Sequence, residues 1–205
     1  MENKLYLAAF RRQNIEAGFA QQGFGFSYDG SFFAPEGCGN VWILDDRCLP
    51  SENGVQTAVR YFQCANYSAL LCDFERPRTP LLASLLSQLD KERLIVPPQY
   101  ADLPHSAVFL PPYQPNKPFQ TWLKHNRSRY GSIVLDMQPI GAPCRHGSYS
   151  NALCCNYLAE YQNGKQTFQF YDTPETFLRR IELASVPCIT LQSEFSALRA
   201  LIPGP

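Results

Sequence analysis

Short apolar runs recur along the chain, and each run ends at a polar residue or a turn residue. A strand of a parallel sheet is covered on both faces, so its sequence is a nearly unbroken apolar run of this kind. Helical patterns separate most of the runs. The predicted strands cover residues 24–29, 41–46, 67–75, 93–99, 107–113, 132–138, 167–172 and 187–194. The predicted helices cover residues 54–65, 79–91, 117–130, 148–162, 174–185 and 195–201.

Alternating strands and helices are typical of parallel strands joined by crossover helices, and eight such units close a barrel. We therefore predict one α/β domain over residues 1–205, a (β/α)8 TIM-type barrel. Such barrels typically have about 250 residues. Residues 30–40 and 100–106 are also too few for full crossover helices, so we expect a compact or degenerate barrel with a hairpin near Asp29-Gly30. An open doubly wound α/β sheet is the alternative.

Two helix starts are predicted with particular clarity. Thr79-Pro80 and Thr173-Pro174 each combine a residue that caps a helix with a proline at the first helical position. The threonine hydroxyl can accept a hydrogen bond from a free backbone N–H of the first turn, and proline lacks the N–H that would be unsatisfied there.

Charge and hydropathy narrow the choice of partners. Lys and Arg number 18, as do Asp and Glu, so the formal net charge is zero. We expect no nucleic-acid or membrane partner, since both attract basic surfaces. The first residues lack the pattern of a signal peptide, and no apolar run is long enough to span a bilayer. We expect a cytoplasmic protein, and the sequence is compatible with a homo-oligomer.

The cysteines and histidines do not predict a metal or redox centre. The eight cysteines lack C-x-x-C spacing and the three histidines lack the spacing of zinc ligands, so reduced thiols and no structural zinc are expected. No glycine-rich nucleotide motif is present, and no cofactor is expected. A divalent cation bound by Asp73, Glu75 and Asp136 remains an alternative, because hard cations prefer carboxylates.

The run over residues 67–75 ends in two carboxylates, Asp73 and Glu75. Side chains two residues apart on a strand point to the same face. Two neighbouring carboxylates repel each other, and this repulsion can keep one of them protonated near neutral pH. The pair is therefore a candidate for general acid catalysis on an acid-labile bond.

Polar residues also stand at the ends of the other predicted strands, where the chemistry of a barrel gathers. Asp136 and Gln138 are expected to share a strand face, as are Gln192 and Glu194. Asp45-Asp46 and Asp172 are better explained as turn or cap residues. Acids, amides and tyrosines around one opening suit sugar hydroxyls and sugar ring faces. The candidate substrate-binding residues are Tyr28, Gln99, Tyr113, Asp136, Gln138, Tyr171 and Glu194.

The segment Ala69-Leu-Leu-Cys-Asp-Phe-Glu75 resembles the end of the D-G-x-D-x-D-x-E strand motif of chitinase-type glycoside hydrolases, the family 18 barrels. The resemblance implies a (β/α)8 barrel in which Glu75 protonates the glycosidic oxygen. It also implies that Asp73 orients the N-acetyl group of the substrate, which acts as the internal nucleophile. The earlier glycine and acids of the motif are replaced by residues 67, 68, 69 and 71, and the S-x-G-G strand of the family is absent.

Two functional hypotheses follow, and we favour the enzyme. The first is a glycosidase that acts on β-linked sugars, N-acetylated sugars among them, with Glu75 as general acid and Asp73 as its partner. The second is a catalytically inactive barrel relative that binds carbohydrate or a protein partner. A third interpretation is structural, in which Glu75 only pairs with Arg76 or Arg78. The enzyme hypothesis predicts that Glu75 faces a cleft beside Asp73.

Overall fold

The computed structural model describes residues 5–10, 19–34, 41–141 and 147–199. The strands are β1 Leu5–Phe10, β2 Phe19–Phe26, β3 Phe32–Phe33, β4 Val41–Asp45, β5 Ala69–Asp73, β6 Leu94–Val96, β7 Ala107–Leu110, β8 Ile133–Asp136, β9 Ser148–Ser150, β10 Cys155–Gln162, β11 Lys165–Tyr171 and β12 Cys188–Leu191. The α-helices are α1 Glu52–Cys64, α2 Pro80–Ser87, α3 Phe119–Tyr130, α4 Pro174–Ala184 and α5 Gln192–Arg199.

The fold is mixed α/β, with a mostly parallel central sheet. Its hydrogen-bonded order is β1-β12-β8-β7-β6-β5-β4-β2-β3, and β1 also pairs with β2. All of these pairings are parallel except that of β2 with the short β3. Each of the eight parallel strands therefore has a parallel neighbour on both sides. Strands β9, β10 and β11 form a separate antiparallel sheet.

Two apolar clusters lie on opposite faces of the parallel strands, because successive side chains of a strand point to opposite sides. The larger cluster joins one face to the helices, for example through Leu70, Val59 and Leu85. The smaller cluster takes at least one buried side chain from every parallel strand, and we call it the inner cluster. Its members are Tyr6, Ala8, Ala20, Val41, Ile43, Ala69, Leu71, Ile95, Ala107, Phe109, Val134 and Ile189.

Both predicted helix starts are confirmed. The Thr79 hydroxyl caps α2 by accepting a hydrogen bond from the N–H of Leu82. At α4, the Thr173 hydroxyl accepts from the N–H of Thr176, whose own hydroxyl accepts from the Thr173 N–H. None of the helices that the structure describes is long and apolar enough to cross a membrane.

The hairpin predicted near Asp29-Gly30 is confirmed by the antiparallel pairing of β2 with β3. Gly30 has φ of 77°, a conformation that glycine adopts without a steric cost. An added Cβ would also lie 2.4 Å from the Ser51 nitrogen. The turn therefore needs glycine both for its backbone angle and for its close approach to the start of α1.

Three element predictions were wrong. The helix predicted over residues 148–162 is the strand pair β9 and β10, and the strand predicted over 167–172 is β11 of the small sheet instead of a strand of the central sheet. The central sheet instead includes β1, which was not predicted. The last predicted strand, 187–194, ends at Leu191, so Gln192 and Glu194 lie on α5 and share no strand face.

Candidate functional site

Three aspartates reach the same end of the central sheet, each from the last residue of its strand. Asp45, Asp73 and Asp136 end β4, β5 and β8. Each follows a residue of the inner cluster by two positions, so the alternation of a strand turns each toward the inner face. Asp45 and Asp73 are direct neighbours in the register of their strands. The carboxyl ends of parallel strands thus gather acids at one opening.

Asp73 and Glu75 stand between two cavities at this end. The first cavity, of about 230 Å³, is also lined by Asp45, Arg47 and other residues of β4 and β12. The second cavity, of about 340 Å³, is also lined by Asp136, Gln99 and several phenylalanine and proline residues. Both cavities share Asp73 and Glu75, and together they form a cleft that is lined by the predicted acid pair and by the predicted acid of β8.

The surroundings raise the pKa values of two of these aspartates. Burial, followed by repulsion from Glu75 and Asp45, raises the pKa of Asp73 to about 6. Burial, followed by repulsion from Asp73, raises the pKa of Asp136 to about 7. Desolvation disfavours the charged form, and a nearby like charge adds to the effect. Near pH 7, about half of Asp136 therefore still carries a proton, whereas Asp73 is mostly protonated only below about pH 6.

The backbone that carries Glu75 is held by neighbouring side chains. The buried Asp46 carboxylate accepts hydrogen bonds from the N–H of Glu75 at 3.1 Å and from that of Arg76 at 3.0 Å. The Gln99 amide donates to the Phe74 carbonyl at 2.7 Å. These bonds fix the position of Glu75, although its side chain is exposed.

Both arginines that could neutralise Glu75 bind elsewhere. Arg76 donates to the carbonyl of Arg47 at 2.6 Å, and Arg78 forms an ion pair with Asp102 at 2.5 Å. Among the acids at this end of the sheet, Asp45 forms an ion pair with Arg47, at 2.6 Å. Among the described residues, neither arginine forms an ion pair with Glu75, so this geometry does not favour the structural interpretation.

Gln138 and Glu194 approach Asp136 from two different elements. The Gln138 amide, just beyond β8, donates to the Asp136 carboxylate at 2.9 Å. Glu194, on α5, adds a repulsive charge that contributes to the raised pKa of Asp136. Burial also raises the pKa of Glu194 itself.

Three predicted substrate residues lie apart from the residues that line the cleft. Tyr113 is buried against Phe119 and Trp122, and its hydroxyl donates to the Lys117 carbonyl at 2.5 Å. Tyr171 is buried in the small sheet. Tyr28 is fully exposed in the turn between β2 and β3. Their positions at the ends of predicted strands did not place them at the opening.

Sequence reasoning missed the parts played by Asp45, Asp46 and Arg47. Asp45 could have been found from its spacing. It follows apolar residues at two-residue intervals at the end of a predicted strand, as Asp73 does. Asp46 has no such signal, since its role depends on backbone groups 29 and 30 residues later. Among the residues that the structure describes, no group of three or more His, Cys, Asp or Glu is arranged to hold a metal ion.

Comparisons with known proteins give a likeness of fold alone. No protein-family model matches the chain, and no curated protein matches it. Among solved structures, the chain is similar to the spore cortex-lytic enzyme SleL of Bacillus megaterium QM B1551, with a TM-score of 0.52 and 10% identity. The similarity covers 92% of this chain and 70% of that one.

Proposed function

We propose that this chain is a glycoside hydrolase that cleaves β-linked sugars, with Glu75 as the general acid. The observation that carries the proposal is the meeting of Asp73, Glu75 and Asp136 in one open cleft at the carboxyl ends of the parallel strands. Enzymes of this bond class work with paired carboxyl groups in such a position. The similarity of fold to a lytic enzyme supports the same choice.

We infer further that the central sheet is a compact (β/α)8 barrel. Two observations favour it over an open doubly wound sheet. Strand β1 pairs with both β12 and β2, and every parallel strand contributes to the inner cluster. In such a barrel, catalytic groups lie at the carboxyl ends of the strands, where this cleft opens.

The roles that we assign to the three acids follow from how exposed each side chain is. Glu75 is the most exposed of the three acids and can reach the glycosidic oxygen of a bound sugar, to which it would transfer a proton. Asp73 lies deeper beside it, and its raised pKa, about 6, lets its protonated form donate a hydrogen bond in mildly acidic solution. By the family resemblance, this bond would orient an N-acetyl group as the internal nucleophile. Asp136, Gln138 and Gln99 would contact the sugar hydroxyls.

The test compares the wild-type chain with Glu75→Gln on chromogenic N-acetylglucosaminides and other β-glycosides. We expect kcat/KM to fall by about 10²-fold or more in Glu75→Gln, because the side-chain amide of glutamine cannot transfer the catalytic proton. Glu92→Gln is the matched control, since Glu92 is exposed and lines a cavity at the opposite end of the strands. Circular dichroism checks that both variants fold. Equal turnover in wild type and Glu75→Gln would rule out this general acid.

A second function, sugar binding without cleavage, is favoured by one observation. The positions that carry the earlier acids and glycine of the family motif are here apolar or uncharged, and Ala69 and Leu71 are buried in the inner cluster. This alternative predicts no turnover on any substrate, together with oligosaccharide binding that weakens in Asp73→Asn. Calorimetric titration with N-acetylglucosamine oligomers separates the two functions.

A further inference from the structure

A fully buried ion pair lies behind the β8 end of the cleft. The Arg180 guanidinium, on α4, donates to both carboxylate oxygens of Asp172, at 2.9 Å and 2.7 Å. Arg180 is 1% exposed and Asp172 is 0% exposed. The sequence had suggested that Asp172 is a turn or cap residue. The structure shows that it is also one half of this buried ion pair.

The same two side chains hold the segment that follows β8. Arg180 also donates to the carbonyl of Gln138 at 3.0 Å. The Asp172 carboxylate accepts from the N–H of Ile140 at 2.8 Å, and the Asp172 N–H donates to the Ile140 carbonyl at 2.8 Å. The backbone is thus fixed at the residue whose amide binds Asp136 and again two residues later.

Stability alone is a poor explanation for this pair. Taking two charges out of water costs several kcal/mol per ion, and well-packed apolar residues often serve equally well. Here, however, the hydrogen bonds of the two side chains beyond the pair itself go to the segment from Met137 to Ile140, apart from one that Asp172 accepts from the Thr176 hydroxyl at 3.3 Å. They include a contact of the Arg180 Nε with the Met137 sulfur at 3.3 Å. Most of the hydrogen bonds that the pair makes to other residues therefore hold one loop at the cleft.

We propose that Arg180 is a positioning residue that acts through Gln138. With Asp172 beneath it, Arg180 fixes the Gln138 backbone, so that the Gln138 amide stays bound to the Asp136 carboxylate at 2.9 Å. The consequence for catalysis depends on the proposed glycosidase function. The coupling of Arg180 to Asp136 does not depend on it, and it can be measured without a substrate.

The readout is the protonation of Asp136, which faces three acidic side chains from two elements. Asp73 and Glu75 approach from β5 and its loop and Glu194 from α5, and all three disfavour its ionisation. The Gln138 amide opposes them by stabilising the carboxylate. A hydrogen bond to a charged group is worth enough that its loss should move the pKa of Asp136 upward by about one pH unit.

The experiment follows the Asp136 carboxyl carbon by NMR through a pH titration in four proteins: wild type, Arg180→Lys, Gln138→Leu and the double variant. Lysine keeps the charge beside Asp172 but has a single donor group in place of the fork of guanidinium. We expect Arg180→Lys and Gln138→Leu to raise the pKa by similar amounts, and the double variant to show no further shift. Arg179→Lys, an exposed neighbour on α4, is the control and should show no shift.

Two results would overturn the proposal. One is a titration of Asp136 in Arg180→Lys that matches the wild type. The other is a shift that persists in full when Gln138 is already leucine, which would mean that Arg180 acts by another route. If the chain hydrolyses glycosides, Arg180→Lys should also move the limb of its pH–rate profile upward with Asp136. If it does not hydrolyse them, the titrations still decide the coupling.

Discussion

Asp136 and Asp73 are acids placed where their charged forms are unfavourable. Both end a buried strand, and both are close to further carboxylates. The sequence could predict the pair Asp73 and Glu75, because their spacing is local. It could not predict that Asp136, 63 positions after Asp73 in the sequence, repels them across the opening.

The raised pKa of Asp136 has a consequence for stability. An unfolded aspartate loses its proton near pH 4, whereas Asp136 in the folded chain loses it near pH 7. Between these pH values the unfolded state binds fewer protons than the folded state, so the contribution of this group to stability falls as the pH rises. Above pH 7 the charged Asp136 is a net cost to the fold.

Asp136→Asn should therefore be more stable than the wild type at pH 8 and similar to it at pH 3.5. Asparagine keeps the shape and the oxygen that accepts from Gln138, but it never ionises. We expect its melting temperature at pH 8 to exceed that of the wild type by roughly 5 °C. Thermal denaturation followed by circular dichroism at the two pH values measures this. A variant that is less stable at pH 8 would contradict the raised pKa.

The elements show where local pattern succeeds and where it misleads. In residues 148–162, apolar residues recur three and four positions apart, as at Cys154, Tyr157, Leu158 and Tyr161, which favours a helix. The structure instead pairs β10 with β11 along seven residues. The two strands are joined by Asn163-Gly164, with φ of 53° and 75°, a two-residue turn that suits the twist of a hairpin. The turn and the pairing outweigh the helical spacing.

Helix α1 contains a glycine that its contacts require. Gly54 is buried, and an added Cβ would lie 2.0 Å from the carbonyl oxygen of Gly30 in the β2–β3 turn. That same carbonyl accepts hydrogen bonds from the Ser51 N–H and hydroxyl, so it has little freedom to move. The close approach locks α1 to the hairpin.

Gly54→Ala should consequently destabilise the chain, although alanine is the better helix former by roughly 1 kcal/mol. We expect a net loss of about 1–3 kcal/mol from the clash with backbone. Urea denaturation measures the free energy of unfolding. Gln56→Ala, at an exposed position two residues later in α1, is the control and should change it by less than about 0.5 kcal/mol. A gain in stability for Gly54→Ala would show that the turn can shift.

At the scale of the molecule, the described residues form the parallel sheet with its helices and a small antiparallel sheet that follows β8. The far part of the β10–β11 hairpin is mostly exposed, including Tyr161 at 77% and Phe168 at 51%. Ala159 and Phe168 are direct partners across the hairpin, as are Gln162 and Lys165 beside the turn. The hairpin can therefore be shortened without a change in the pairing of the remaining residues.

Replacing residues 160–167 by Asn-Gly should leave the fold intact. The new turn would join Ala159 to Phe168 with the two-residue loop that the native hairpin uses. Since the removed side chains are largely exposed, we expect the melting temperature to stay within about 3 °C of that of the wild type. Differential scanning calorimetry gives the answer. A chain that no longer unfolds cooperatively would show that the tip of the hairpin is part of the main core.

Charge shows the difference between composition and arrangement most plainly. The chain has a net charge of zero, yet Asp45, Asp73, Glu75 and Asp136 all line its cleft, and Arg47 is the one basic residue among the described residues that line it. Composition correctly describes the average surface. The concentration of acids depends on which strands end at the same opening.

Local physics was enough to predict most strands of the central sheet, the caps of α2 and α4, the hairpin at Gly30 and the acid pair. Each depends on residues a few positions apart: an apolar run, a hydroxyl facing the next turn, a glycine with positive φ. Tertiary contacts alone decided that β1 joins the central sheet, that Asp136 faces Asp73, that Asp46 holds the loop of Glu75 and that Arg180 lies beneath Gln138. These relations join residues tens of positions apart, and strand order and register are set by the packing of the whole core.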